Sequence, residues 1–303
     1  MEPLKKYPLE ITSVTSMTDD GGSTGQLRAA FGVLPPGDIR RHIAVLSDAP
    51  DWKKKMWSFR FGEEEFEGGH KGHSFGNVFI AGLEKNLKDY GEVLRECCKF
   101  MEVDKRYRPY PATLGKVTLC AELEDGQVIE GESEIDVPKK HSSDLRIKRI
   151  FLKPAVKAYK NTLLEIERAD ALIFGPGDLY SSTLPCFLPL GIKTAISKSK
   201  AKKILVCNVM DKRGETNGFT AEDFASEVEK YIGTNLDSVL CNASRPDKDV
   251  LRAAKRADGS LLEPVGFGGA TDKDKFIEMD LLKKGAIEHD AKKTGEAIWK
   301  LIR

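Results

Sequence analysis

Ala169-Asp-Ala-Leu-Ile-Phe-Gly-Pro-Gly-Asp-Leu-Tyr-Ser-Ser-Thr-Leu-Pro185 is the stretch that decides the fold. Residues 171–174 form a short apolar run that ends at Gly175-Pro176-Gly177, where the chain can turn sharply and a ligand can approach the backbone. This pattern predicts a buried parallel strand feeding a glycine loop. Asp178, Ser181, Ser182 and Thr183 follow the loop, and they either cap the next helix or present hydroxyls to an anion. A plain capped turn is the alternative. A similar strand, Lys203 to Asn208, lies one helix later, and Tyr159–Arg168, Phe187–Lys198, Ala221–Ile232, Asp249–Lys255 and Ala291–Ile302 read as helices around these strands and Val239–Cys241. Alternation at this spacing predicts parallel βαβ units in an α/β fold. Gly177, following a proline of fixed φ, is expected to hold a positive φ or to let an anion touch the backbone.

Working outward, Leu9 to Met17 reads as a strand that runs into a second glycine loop, Thr18-Asp-Asp-Gly-Gly-Ser-Thr-Gly25, ahead of a helix over Gln26–Phe31. Backbone N–H groups of such a loop suit phosphate oxygens, and Asp19 or Asp20 suits Mg²⁺ or a ribose hydroxyl. An ordinary Asp-Gly turn fits the same letters. Arg28 is placed for a bidentate phosphate contact, with a solvated arginine as the alternative. Pro35-Pro-Gly37 breaks the chain, Asp38 is expected to cap Ile39–Leu46, and Arg40 lies at that helix start. Residues of about 50–102 read as a helical insertion covering the sheet, with Trp52, Met56 and Trp57 on one face. Within it Ser74 is a cap, and His73 and Asn77 are candidate donors to a ligand. Residues of about 115–137 alternate around Glu124-Asp-Gly126 and predict an inserted β-hairpin arm, and Arg146–Leu152 begins another strand. Asn208, Glu215 and Thr216 follow the Lys203 strand, so three strand ends are expected to converge on one crevice.

The chain has 303 residues, with 48 Lys and Arg against 47 Asp and Glu, which gives no reason to expect nucleic acid or an anionic membrane as partner. No apolar run is long enough to span a bilayer, and Met1-Glu-Pro-Leu-Lys lacks a signal-peptide core, so a cytoplasmic protein is expected. The six cysteines lack metal-ligand spacing and read as reduced core thiols. No Ser/His/Asp order, dinucleotide glycine fingerprint or Walker motif occurs, so the residues indicate a phosphate-rich ligand more firmly than a reaction.

Together, Asp19-Asp-Gly-Gly-Ser-Thr-Gly-x-Leu-Arg28, Leu34-Pro-Pro-Gly-Asp-Ile-Arg40, Gly72-His-Ser-Phe-Gly-Asn77, Gly175-Pro-Gly-Asp-Leu-Tyr-Ser-Ser182 and Cys207-Asn-Val-Met with Gly214-Glu-Thr216 resemble the bacterial gluconeogenesis factor (YvcK-type) family. That family lies within the 2-phospho-L-lactate transferase (CofD-like) superfamily. The resemblance runs from Leu4 to the end of the chain. It implies one Rossmann-like α/β domain over 1–303, a mainly parallel sheet with helices on both faces, a nucleotide-sugar ligand such as a UDP-sugar, and a regulatory role in carbon metabolism and cell shape. The transferase branch implies instead Mg²⁺ and transfer of a phospholactyl group from a nucleotide donor.

The nucleotide and phosphate set expected on this basis is Asp19, Asp20, Gly21, Gly22, Ser23, Thr24, Gly25, Arg28, Asp38, Arg40, His73 and Asn77 in the first half. Gly175, Gly177, Asp178, Tyr180, Ser181, Ser182, Asn208, Glu215 and Thr216 complete it in the second half. No catalytic residue and no metal ligand is assigned, and a homodimer is left open. Two departures from the family pattern stand out. The apolar strand and Gly-Gly-Thr-Gly loop that the family carries before Leu4 are not in this sequence, through a late start or a missing central strand, and the Asp249–Lys255 helix has no tyrosine.

Overall fold

A computed structural model describes residues 1–62, 72–139, 141–269 and 274–303. In chain order the elements are β1 (Ile11–Thr15), α1 (Gly22–Phe31), α2 (Pro36–Leu46), α3 (Asp51–Ser58), α4 (Phe75–Asn86), α5 (Tyr90–Phe100), β2 (Tyr107–Pro111), β3 (Thr118–Leu123), β4 (Val128–Glu130), α6 (Glu132–Asp136) and β5 (Ile147–Lys153). They continue with α7 (Lys160–Arg168), β6 (Ala171–Phe174), α8 (Ile192–Lys198), β7 (Lys202–Val206), β8 (Met210–Lys212), α9 (Ala221–Ile232), β9 (Ser238–Asn242), α10 (Lys248–Ala257), β10 (Leu261–Pro264), β11 (Phe276–Met279) and α11 (Ala291–Ile302).

The expected α/β architecture is present. β6, β7, β9 and β11 form a parallel sheet in the order β11-β9-β7-β6, with α8 crossing between β6 and β7 and α9 between β7 and β9. Successive strand side chains point to opposite faces. Leu205 and Val239 therefore pack with Ile192, Ala195, Phe224 and Val228 of α8 and α9, while Val206 and Leu240 pack with Ala297 and Ile298 of α11. β1 and β2 form a separate parallel pair, from Ile11↔Tyr107 to Thr15↔Pro111. Among the described residues no ladder joins β1 to β6, so the parallel strands fall into two groups. β6 is an edge of its group, and three of its four residues are only half-buried instead of fully enclosed.

Several local expectations are corrected. The hairpin arm is one side of a three-stranded antiparallel sheet, β4-β3-β5, because β5 pairs along the other edge of β3 from Thr118↔Lys153. Ile135, within the span expected to form the arm, lies in no strand; it is the buried residue of α6, a short helix. The helices of the insertion do not spread over the sheet. α3, α4 and α5 join α2 in a core of their own, around Ile39, Ile43, Trp57, Ile80, Val93 and Cys97, which Tyr110 of β2 also touches. Trp57 is fully buried, and its indole N–H donates to the Arg40 carbonyl at 3.0 Å, while Trp52 is 61% exposed and takes no part. α2 begins at Pro36, so Asp38 lies inside its first turn and pairs with Arg41 instead of capping. Ser74 caps α4 as expected, accepting from the Asn77 N–H at 3.2 Å.

Candidate functional site

The loop after β1 turns into α1 at Gly22, earlier than Gln26, so its glycines and hydroxyls belong to the first helical turn. No side chain caps that turn, and the positive end of the helix dipole is left toward the cavity that Gly21, Gly22, Ser23 and Thr24 line. The start of α2 comes up against this loop. A Cβ at Gly37 would sit 2.6 Å from Thr24 Oγ1 and 2.7 Å from Asp19 Oδ2, so only glycine permits the approach.

The two loop carboxylates have different work. Asp19 accepts the Gly21 N–H at 3.0 Å and lines the cavity, and burial raises its pKa. Asp20 reaches instead to α6, accepting the Glu132 and Ser133 N–H groups at 3.2 and 3.0 Å and the Ser133 hydroxyl at 2.6 Å. Asp20 is therefore the distant cap of α6. Arg28 is also structural, its guanidinium donating to the carbonyls of Asp19 and Val117 at 2.7 Å each, which corrects the expected phosphate contact. Gly25 sits in the helix, where a Cβ would lie 2.0 Å from the Asp20 carbonyl oxygen.

The cavity has a volume of about 800 Å³, the size of a drug-like or nucleotide ligand. It is lined by the Asp19–Thr24 loop, Gly37, Arg40, Arg41, Arg60, Phe61, Asn77, Glu132, Ser133, Asp136 and Lys139, among others. A chain of hydrogen bonds organises one side. Ser23 Oγ lies 2.9 Å from His73 Nδ1, Asn77 Nδ2 donates to Ser23 Oγ at 3.2 Å, and Arg40 Nε donates to Asn77 Oδ1 at 3.0 Å. Asn77 thereby fixes the plane of the Arg40 guanidinium. Among the described residues Arg40 forms no ion pair; burial lowers its pKa, and Arg41 and Arg60 add to that shift. Burial pushes Glu132, which also lines the cavity, up to about 8, reinforced by Asp19, Asp136, Asp20 and Asp38.

The second glycine loop is arranged differently from the expectation. The positive φ belongs to Gly175, at 71°, and not to Gly177. Beyond it Leu179–Thr183 forms a π turn whose Tyr180 and Ser181 N–H groups are buried and already have an acceptor. Buried Glu215 accepts the Tyr180 and Ser181 N–H groups at 2.7 and 3.1 Å and the Ser181 hydroxyl at 2.9 Å. The carboxylate stands where an oxyanion was expected. Burial lifts Glu215 to about 7, against the pull of Lys212. Burial opposes the charge on Lys212, yet Glu215, Asp178 and Asp136 together raise its pKa. The carboxylate group Asp136, Asp178 and Glu215 lies within 4.8 Å, and the Lys212 ammonium bonds to all three.

Asn208 donates to the Gly177 carbonyl at 3.1 Å, and Thr216 Oγ1 accepts the Lys212 N–H at 2.9 Å, so both tie the loops together. Ser182 is exposed, and Tyr180 is buried against Phe219. Gly175, Gly177, Asp178, Tyr180, Ser181, Ser182, Asn208, Glu215 and Thr216 therefore lie off the cavity wall. They connect to it through Asp136, which accepts from Ser181 Oγ at 3.3 Å and pairs with Lys212. Gly37, Arg41, Arg60, Glu132, Ser133, Asp136 and Lys139 line the cavity without having been expected there. Gly37 falls within the Leu34–Arg40 motif, and Gly131-Glu-Ser133, a glycine and an acid at a strand end, carries a local signal.

A nucleotide-sized cavity beside a helix N-terminus, lined by an arginine that forms no ion pair among the described residues, marks the candidate site of this α/β protein. The model of the family described as 2-phospho-L-lactate transferase CofD matches residues 1–281, and the chain belongs to that family. It is 35% identical to the gluconeogenesis factor of Halalkalibacterium halodurans, over 97% of this chain and 90% of the relative. Identity to the gluconeogenesis factor of Bacillus subtilis is 34%, over 99% of this chain and 93% of the relative. A crystal structure of a UPF0052 family member from Bacillus halodurans superposes with a TM-score of 0.87 at 33% identity, covering 98% of this chain and 94% of that one. Among the described residues no helix is long and apolar enough to cross a membrane.

Proposed function

We propose that the chain is a nucleotide-sugar-binding gluconeogenesis factor, taking a UDP-sugar in the cavity between the Asp19–Thr24 loop and α6 and acting as a regulator of carbon metabolism and cell shape. The observation that carries the reading is Arg40. A half-buried guanidinium that has no carboxylate partner among the described residues is suited to an anion, and Asn77 holds this one in a fixed plane. Arg40, Arg41 and Arg60 with the first turn of α1 form the phosphate end. Calorimetric titration with UDP-sugars, GDP and NAD is the test. Saturable binding of a UDP-sugar that Arg40→Met removes supports the reading, and no heat from any of the three at millimolar concentration refutes it.

One observation favours a second reading, a phospholactyl transferase. Asp19 lines the cavity, where a Mg²⁺-bound donor would present its metal, whereas Asp20 is bonded to α6. Turnover of a nucleotide donor that requires both Mg²⁺ and an acceptor would favour the transferase, and tight binding without turnover the regulator.

A further inference from the structure

A chain of hydrogen bonds with a fixed direction ends on Ser23, a cavity-lining hydroxyl in the first turn of α1. An arginine side chain only donates, so the Asn77 atom that meets Arg40 Nε at 3.0 Å is the amide oxygen, and the amide nitrogen is turned to Ser23 Oγ at 3.2 Å. Ser23 Oγ therefore accepts from Asn77. Its own proton is left for His73 Nδ1, 2.9 Å away and its other side-chain partner among the described residues. His73 then holds its proton on Nε2 and offers Nδ1 as a base. His73 does not itself line the cavity, whereas Ser23 does. An anion on Arg40 would thus lie one side chain away from a serine whose proton has an acceptor. No side chain caps this turn of α1, and the helix dipole favours negative charge developing at Ser23 or on a phosphate beside it.

We propose that Ser23 is a nucleophile with His73 as its general base, and that it takes the sugar phosphoryl group of a bound nucleoside diphosphate sugar. The inference rests on the nucleotide-sugar reading above and adds a reaction to it. Ser23 Oγ attacks the phosphorus that carries the sugar, and an Oγ–P bond forms. The anhydride P–O bond breaks, and its electron pair leaves with the nucleoside monophosphate. The serine proton passes to His73 Nδ1 and from the imidazolium to solvent. Nothing is oxidised or reduced, and the product on the protein is a phosphodiester between Ser23 and the sugar. Arg40, held by the same Asn77 that bonds Ser23, and the open turn of α1 stabilise the charge that develops on the phosphoryl oxygens.

The test is incubation of the full chain with UDP-glucose, an acid quench, and mass spectrometry of the intact protein and its peptides, with released UMP measured in parallel. The parent should release UMP in a burst of about one equivalent per chain and gain the mass of a glucosyl phosphoryl group on Ser23. Ser23→Ala should still bind UDP-glucose by calorimetry and show neither signal. His73→Asn, whose amide can accept the Ser23 hydrogen bond but cannot take the proton, should slow adduct formation at least tenfold and flatten its pH dependence. Should Ser23→Ala fail to melt cooperatively, the adduct mapped in the parent and the rate of His73→Asn decide the matter. A parent that binds UDP-glucose without an adduct on Ser23 overturns the inference and leaves the nucleotide-sugar reading standing. An adduct that forms at the parental rate in His73→Asn overturns the assignment of the base, and a parent that binds no UDP-glucose overturns both readings.

Discussion

Glu215→Ala should destabilise the protein and open an anion site in the second glycine loop. The carboxylate is buried and holds the Tyr180 N–H at 2.7 Å, the Ser181 N–H at 3.1 Å and the Ser181 hydroxyl at 2.9 Å. Truncation leaves two backbone donors without a partner, each costing roughly 1–3 kcal/mol. The hydroxyl can turn to Asp136, and Lys212 keeps Asp136 and Asp178, so those two groups lose little. Removing a carboxylate that burial has already lifted to about 7 offsets part of the loss. The net cost is then about 3–5 kcal/mol, a fall in Tm of roughly 6–12 °C for a domain of this size. Urea unfolding at pH 8 measures it. Phosphate added to the variant should restore part of the loss, because an oxyanion fits where the carboxylate stood, and it should leave the parent unchanged. A variant within ~1 kcal/mol of the parent, or one that phosphate does not stabilise, would refute the claim that Glu215 substitutes for a bound anion.

Other outcomes follow from the same geometry. Arg40→Met should weaken UDP-sugar binding about 10- to 100-fold, the worth of one or two charge-assisted hydrogen bonds, while the melting curve stays near that of the parent; calorimetry and a thermal scan check the two halves. Gly37→Ala should cost about 1–3 kcal/mol in urea and weaken binding, since its methyl group meets Thr24 and Asp19. His42 is hydrogen-bonded to Ser13, and burial lowers its pKa from 6.5 to about 4. The unfolded chain takes up the proton first, so stability that is full above pH 6.5 should be lost as pH falls toward 4, by about 2–3 kcal/mol. His42→Gln should flatten that stretch of the stability profile, and a profile unchanged by the substitution would count against the shift.

Much of the fold was legible because its signals are local. The apolar period of Ala221–Ile232, opened by Thr220 and Asp223 as a reciprocal cap, and that of Ala291–Ile302 reproduce the helix limits. Where local signals conflict with pairing, the sequence misleads. β2 is Tyr-Arg-Pro-Tyr-Pro, and two prolines hide a strand that is tolerated because, among the described residues, it pairs on one side only, with β1. The apolar run 171–174 looks central, yet it lies at an edge, since strand order is a property of the whole sheet.

The site divides in the same way. Asp19, Ser23, Thr24, Arg40 and Asn77 reach the cavity from motifs readable as glycine loop or helix start. Glu132 and Ser133 reach it through a helix capped by Asp20, over separations of 112 and 113 residues that no local pattern encodes. The second loop shows the converse. Its glycines, hydroxyls and helix-like start have the composition of an anion site, and its N–H groups do hold an anion, but that anion is Glu215 of the same chain. Composition announces that a backbone needs a negative partner. Whether the partner is a ligand or a side chain depends on a residue 34 or 35 positions away, which becomes visible only when β7 and β8 bring it under the turn.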